Sequence, residues 1–166
     1  MAIVNNVTRF LDAKKIRYIL YETPTEKLGA LETARILNLP PYQVFKTIVV
    51  VRPKPGKPLL VVIPGPVQAD LKLIAAVLAE KKVSLPTEKE AEALTGLQAG
   101  GISPLALINK GFQVLIDQSA QQFATINVSA GQRGLNLAIA PADLAALTRA
   151  RFAAITTQGE DDLAGG

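Results

Sequence analysis

The sequence predicts an α/β fold built on a mixed sheet. Three observations predict it. Helical and extended patterns are interspersed along 166 residues. One pair of apolar strands is joined by a turn of hairpin chemistry, while other strands are separated by helices, so antiparallel and parallel neighbours both arise. With 49% hydrophobic and 19% charged residues, the chain has the makings of one domain with an ordinary core. The expected domain spans residues 1–156, and a disordered tail is expected over 157–166, including the acidic run at 159–162.

Each element has its own warrant. Ile3, Val4, Val7, Phe10 and Leu11 recur at helical spacing, so residues 4–14 read as an amphipathic helix. Residues 17–21 read as a strand. A second helix around Leu31–Leu37 stops near Asn38, ahead of Pro40 and Pro41. Residues 44–52 form a strand, Pro53-Lys54-Pro55-Gly56 a turn, and Leu59–Ile63 the returning strand. Asp70 caps a helix running to about Ala79. Val83–Leu85 is a short strand. Thr87-Glu88-Lys89-Glu90 matches a capping box, and Gly96 sits where that helix should end. Strands follow over 113–117, 124–128 and 135–139, then a helix opening at Pro141 and a last strand near 152–155. The sum is roughly seven strands and four or five helices.

Composition excludes several chemistries. There is no cysteine and no histidine. Disulfides, Ser-His-Asp and Cys-His catalysis, and the usual zinc sites are therefore out. No tight carboxylate cluster points to magnesium, so neither metal nor cofactor is expected. No apolar run approaches the roughly 20 residues needed to span a bilayer, and no secretory signal is expected at the opening residues, which lack a basic stretch ahead of an apolar core. A cytoplasmic location is expected, and a monomer is the default. The net charge of +4 is mild, compatible with a nucleic-acid partner but also with an ordinary basic protein.

Four segments break local rules. Lys46 stands in the apolar strand Val44–Val51, on the face of Val44, Ile48 and Val50. It is either an edge lysine snorkelling to water or a charge that needs a partner or ligand. Gly100-Gly101-Ile102-Ser103-Pro104 is a glycine-rich loop whose backbone N–H groups can hold a carbonyl or phosphate, or simply connect two elements. Ser129 and Arg133 lie in a second tight loop, 128–134, where Arg133 can meet a phosphate or face solvent. Asp117 can orient Lys46, but capping the following turn is the better reading. Tyr18 and Tyr21 differ in strand parity from each other, so one can line a pocket while the other packs or faces water.

Taken together, FKT at 45–47, LTG followed by GGISPL, and VSAGQRGL before a PADL helix resemble the YbaK/EbsC family, in order and spacing, over about residues 3–156. The GGISP form resembles the YbaK branch more than the alanyl-specific one. The resemblance implies a mixed, twisted, barrel-like sheet flanked by helices. It implies trans-editing hydrolysis of mischarged aminoacyl-tRNA, chiefly Cys-tRNA(Pro), with prolyl-tRNA synthetase as a second partner. The family's functional lysine falls on Lys46 and its neighbouring threonine on Thr47. The backbone-lined loop falls on Gly100, Gly101, Ile102, Ser103 and Pro104, the family serine on Ser129, and a strand-end aromatic on Tyr21. Asn136 stands where some relatives carry an acidic residue, and Ala130 where relatives carry glycine.

The implied chemistry needs no histidine. A pocket separates ligands of similar volume by only about 1–3 kcal/mol, so a second site that removes the wrong product is the general remedy. The ester at the tRNA 3′ end is activated, and a cysteinyl ester brings its own thiol. Orientation and charge stabilisation by Lys46 and loop N–H groups then suffice. Rival readings are a deacylase for Ala-tRNA(Pro) or other small residues, a non-catalytic module that binds tRNA or a synthetase, and a small-molecule or nucleotide-binding protein with the family fold that has lost activity.

Overall fold

The structure, a computed structural model, describes residues 5–53 and 56–157. Helix α1 (Asn6–Ala13) is capped by Asn5, whose side chain accepts from the Thr8 N–H. There follow β1 (Tyr18–Glu22), α2 (Ala30–Leu37), β2 (Phe45–Val50), β3 (Leu59–Pro64), β4 (Gln68–Ala69), α3 (Leu71–Leu78) and α4 (Glu88–Thr95). The second half holds β5 (Gln113–Asp117), β6 (Ile126–Ser129), β7 (Leu135–Ile139), α5 (Pro141–Thr148), β8 (Arg151–Ala153) and β9 (Thr156–Thr157). Three short 3-10 helices lie at Pro41–Gln43, Leu105–Lys110 and Gln118–Gln122.

The capping signals act as expected. Asp70 accepts from the Lys72 and Leu73 N–H groups at 3.0 and 3.1 Å, and α3 ends at Leu78. Thr87 and Glu90 form a reciprocal capping box at the start of α4, and Gly96 ends it in the left-handed region at φ 74°. The strand expected at 83–85 is reduced to a single bridge between Ser84 and Val51. Ile3 and Val4 of the first helix, and Lys54 and Pro55 of the turn, lie outside the described residues.

The sheet is mixed, as expected. In one sheet β2, β3, β5 and β8 lie side by side, antiparallel at β2–β3 and parallel thereafter. In the other, β1, β7 and β6 are all antiparallel. Strand β3 is buried along its whole length, which accounts for its unbroken apolar run. One face of β2, β3 and β5 packs with β6, β7, α1 and α5 around Phe45, Val62, Ile116, Val128 and Leu137. The other face packs on α3 through Val61, Ile63, Ile74 and Leu115.

The barrel-like expectation is corrected in one respect, because the sheets do not close. They meet at one parallel bridge, Val44 with Asn127. At the far edges β1 and β8 do not pair. Side chains of α1, α5 and the Leu105–Lys110 turn fill that side of the core instead. Thr157, assigned from sequence to the tail, pairs with Gln68 in the β4–β9 ribbon, because Asp117 accepts from the Ile155 N–H and the Thr156 hydroxyl and holds this segment against β5. Residues 158–166 lie outside the described residues.

Candidate active site

The β2–β3 hairpin begins the site. Parity puts Lys46 on the α3-facing side of β2 with Ile48 and Val50. At this open end of the hairpin, Lys46 Nζ donates to the carbonyl oxygen of Gly65 at 3.1 Å. Gly65 is itself tied to β2 by its N–H, which donates to the Val44 carbonyl at 2.9 Å. Lys46 is half-buried.

Around Lys46 lies a cleft of about 300 Å³. Its walls come from the loop and helix start at 23–30, the beginning of β2, the first turn of α4, the loop at 99–102, and the β6–β7 hairpin. Of the residues singled out from sequence, Lys46, Thr47, Gly100, Ile102 and Ser129 all line it. They come from three segments far apart in the chain, and the fold brings them to one place.

The others are placed differently. Gly101 is buried behind the cleft wall, and its N–H is committed to the Gln98 carbonyl at 2.8 Å. A Cβ at Gly101 would stand 2.9 Å from the Gln132 Cα, so the two glycine loops touch backbone to backbone. Ser103 is fully buried, and its hydroxyl accepts from the Leu105 N–H at 3.1 Å, starting the following 3-10 turn. Pro104 lines a second, larger cavity of about 720 Å³ between α1, β5 and α5. None of the other sequence-derived site residues lines that cavity. Tyr21 does not line the cleft either; strand register sets it opposite Asn136, which is in turn opposite Ser129, so the three share one row across the sheet. Two residues on, Thr23 does line the cleft, with its N–H donating to the Gly134 carbonyl at 2.9 Å.

Hydrogen bonds fix several of these groups. The Ser129 hydroxyl accepts from the Gly131 N–H at 3.2 Å, which orients it at the start of the hairpin turn. Arg133 donates from Nε to the Ala99 carbonyl at 2.7 Å, joining the two loops. Asp117 caps the Gln118–Gln122 turn by accepting from the Ser119 N–H at 3.2 Å, the capping role expected for it. Among the described residues no group of three or more His, Cys, Asp or Glu side chains could hold a metal.

Sequence reasoning missed Lys27 and Glu88. Both line the cleft and form an ion pair across its mouth, with side chains half exposed. They are 61 residues apart and belong to no motif. Glu88 was visible only as part of a capping box. Thr33, buried on α2, also lines the cleft without any sequence signal.

Comparison with known proteins places the chain in a family. A family model described as an aminoacyl-tRNA editing domain matches residues 25–147. The chain is 38% identical over 155 residues to a protein of Enterococcus faecalis named "Putative Cys-tRNA(Pro)/Cys-tRNA(Cys) deacylase EbsC", covering 92% of this chain and 93% of that one. Among solved structures, the hypothetical protein APE2540 superposes with a TM-score of 0.84 at 22% identity, covering 92% of this chain and all of that one. A protein described as "a putative trans-editing enzyme for prolyl tRNA synthetase" superposes with a TM-score of 0.76 at 21% identity, covering 95% of this chain and 100% of that one. At those identities the superpositions speak for the fold. No helix among the described residues is long and apolar enough to cross a membrane. The chain therefore belongs to the aminoacyl-tRNA editing family, the YbaK/EbsC deacylases, as its FKT, GGISPL and VSAGQRGL motifs imply.

Proposed function

We propose that this chain removes the amino acid from mischarged tRNA at the Lys46 cleft, with Cys-tRNA(Pro) as its main substrate. The observation that carries the reading is the convergence of Lys46, Thr47, Gly100, Ile102 and Ser129 on one cleft of about 300 Å³. The naming of the Enterococcus relative supports the cysteinyl specificity. The substrate is delivered in the cytoplasm, by free diffusion or from prolyl-tRNA synthetase, to a monomeric enzyme.

In this reading Lys46 holds the reacting end of the substrate. Its ammonium, steadied by the Gly65 carbonyl, binds the terminal ribose or phosphate or the oxyanion that develops on the ester carbonyl. The N–H groups of Gly100 and Ile102 have no acceptor among the described residues and can take that oxyanion or the bound amino acid. Thr47 and Ser129 position the substrate by hydrogen bonds. The substrate thiol attacks the carbonyl carbon, a C–S bond forms, and the C–O bond to the ribose breaks. The ribose oxygen leaves with the thiol proton, and water then opens the thioester to free cysteine. No protein nucleophile or histidine base is required.

Deacylation of Cys-tRNA(Pro), Ala-tRNA(Pro) and Pro-tRNA(Pro) by the purified protein tests the reading, with Lys46→Ala alongside. Loss of the cysteinyl ester alone, abolished in the variant, is the expected result. Faster loss of the alanyl ester moves the specificity, and tRNA binding without turnover moves the protein to a binding module.

A further inference from the structure

We propose that Arg133 and Glu92 are paired positioning residues that set the direction of the Gly100 N–H in the cleft; the inference rests on the deacylase reading. Both side chains grip Ala99, the residue just before Gly100. Arg133 Nε donates to the Ala99 carbonyl oxygen at 2.7 Å, in the peptide that carries the Gly100 N–H. The Ala99 N–H of the preceding peptide donates to Glu92 Oε2 at 2.8 Å, so Glu92 holds the unit from which the Ala99–Gly100 peptide turns. Arg133 comes from the β6–β7 hairpin and Glu92 from the middle of α4, so Ala99 is clamped between two elements, with one charged group on each side.

The consequence follows from peptide geometry. The Ala99 C=O and the Gly100 N–H belong to one planar, trans peptide unit and point in opposite directions. Holding the oxygen towards Arg133 therefore holds the Gly100 N–H away from it. Left alone, this peptide would rotate readily. Gly100 sits at φ +88°, and a second glycine follows. The clamp is reinforced by packing, because the place of a Gly100 Cβ lies 3.6 Å from both Cγ and Nε of Arg133.

The direction matters because few donors are available on this wall. The Gly101 N–H is spent on the Gln98 carbonyl, whereas the Gly100 N–H has no acceptor among the described residues and Gly100 lines the cleft. An oxyanion donor works only if it already points where charge will develop. Arg133 thus acts through Ala99 and Gly100 and not by touching the substrate, in contrast to the phosphate contact that its residue type suggests.

The test is steady-state deacylation by Arg133→Ala, Arg133→Lys and Glu92→Gln, together with crystal structures of the wild type and Arg133→Ala. The expected result for Arg133→Ala is a fall in kcat of about a hundredfold with KM for the aminoacyl-tRNA changed less than about twofold. Added guanidinium should restore about a tenth or more of the lost rate. Glu92→Gln should lose roughly tenfold, and the Ala99–Gly100 peptide should be rotated in the Arg133→Ala crystal. Arg133→Lys keeps the charge without the planar fork and serves if Arg133→Ala does not fold; it should show the same loss in kcat. An unchanged kcat in an active enzyme overturns the proposal. So does a loss confined to KM that shrinks the salt dependence, which would make Arg133 a phosphate contact. Wild type inactive on every aminoacyl-tRNA would instead overturn the deacylase reading. The orientation of the Ala99–Gly100 peptide in the two crystals would still decide the clamp.

Discussion

The Lys46 ammonium donates to the carbonyl oxygen of Gly65, just past the end of β3 and beside Lys46 at the open end of the same hairpin. This explains how an apolar strand carries a lysine. The stem runs along the strand end while the charge is met by a backbone dipole at the cleft. Gly65 serves a second purpose. A Cβ there would stand 2.8 Å from the Ala30 Cβ, so only glycine lets the start of α2 lie against this turn.

Gly65→Ala should therefore disturb two things together. The overlap with Ala30 should cost about 1–3 kcal/mol, seen as a melting temperature lower by roughly 3–10 °C. Any shift of the carbonyl away from Lys46 should lower kcat by about tenfold or more. Thermal melts and deacylation assays on the same preparation check both effects.

Lys46→Ala should abolish deacylation while leaving the melting temperature close to wild type, because the removed ammonium is half-buried and the core beneath it is intact. Lys46→Arg should keep part of the tRNA affinity and lose rate, since the planar guanidinium cannot repeat the ammonium's geometry at Gly65. Full activity in Lys46→Ala would remove Lys46 from the mechanism.

Glu88→Gln should tighten substrate binding. The Lys27–Glu88 pair spans the cleft mouth and is exposed, so losing it should cost at most about 1 kcal/mol of stability. Removing a negative charge beside a site for a polyanion should lower KM by a few-fold at low salt, with the gain fading as salt rises. KM measured at two ionic strengths is the check.

The α4 capping box should make stability depend on acid pH. The Thr87 backbone N–H, and then its hydroxyl, hold the Glu90 carboxyl below the ordinary 4.5. A carboxyl with a lowered folded value stabilises fully above its unfolded value, and that stabilisation is lost as pH falls through the folded one. Wild type should thus lose stability more steeply than Glu90→Gln between about pH 5 and 3. Paired denaturant titrations across that range measure the difference.

Much of this was legible in the chain itself. The caps at Asp70 and Thr87, the stop at Gly96 and the hairpin strands are short-range signals, written in residues that contact their near neighbours in sequence. The family motifs carried Lys46, Thr47, Gly100, Ile102 and Ser129 to a common cleft for the same reason that they are motifs: each marks one wall. Gly101 and Ser103 share the GGISP motif but serve the loop's own structure, one by close approach to Gln132 and one by capping the next turn.

Local chemistry alone therefore determined the α/β class, the element boundaries to within a few residues, and the residue types from which a site without histidine must be built. Tertiary structure decided what lies far apart in the chain. It joined the two larger sheets through the Val44–Asn127 bridge without closing them, brought Lys27 across to Glu88, and set Arg133 Nε against the Ala99 carbonyl. A hydrogen bond between residues 34 positions apart depends on where whole elements pack, and neither partner's immediate sequence records that arrangement.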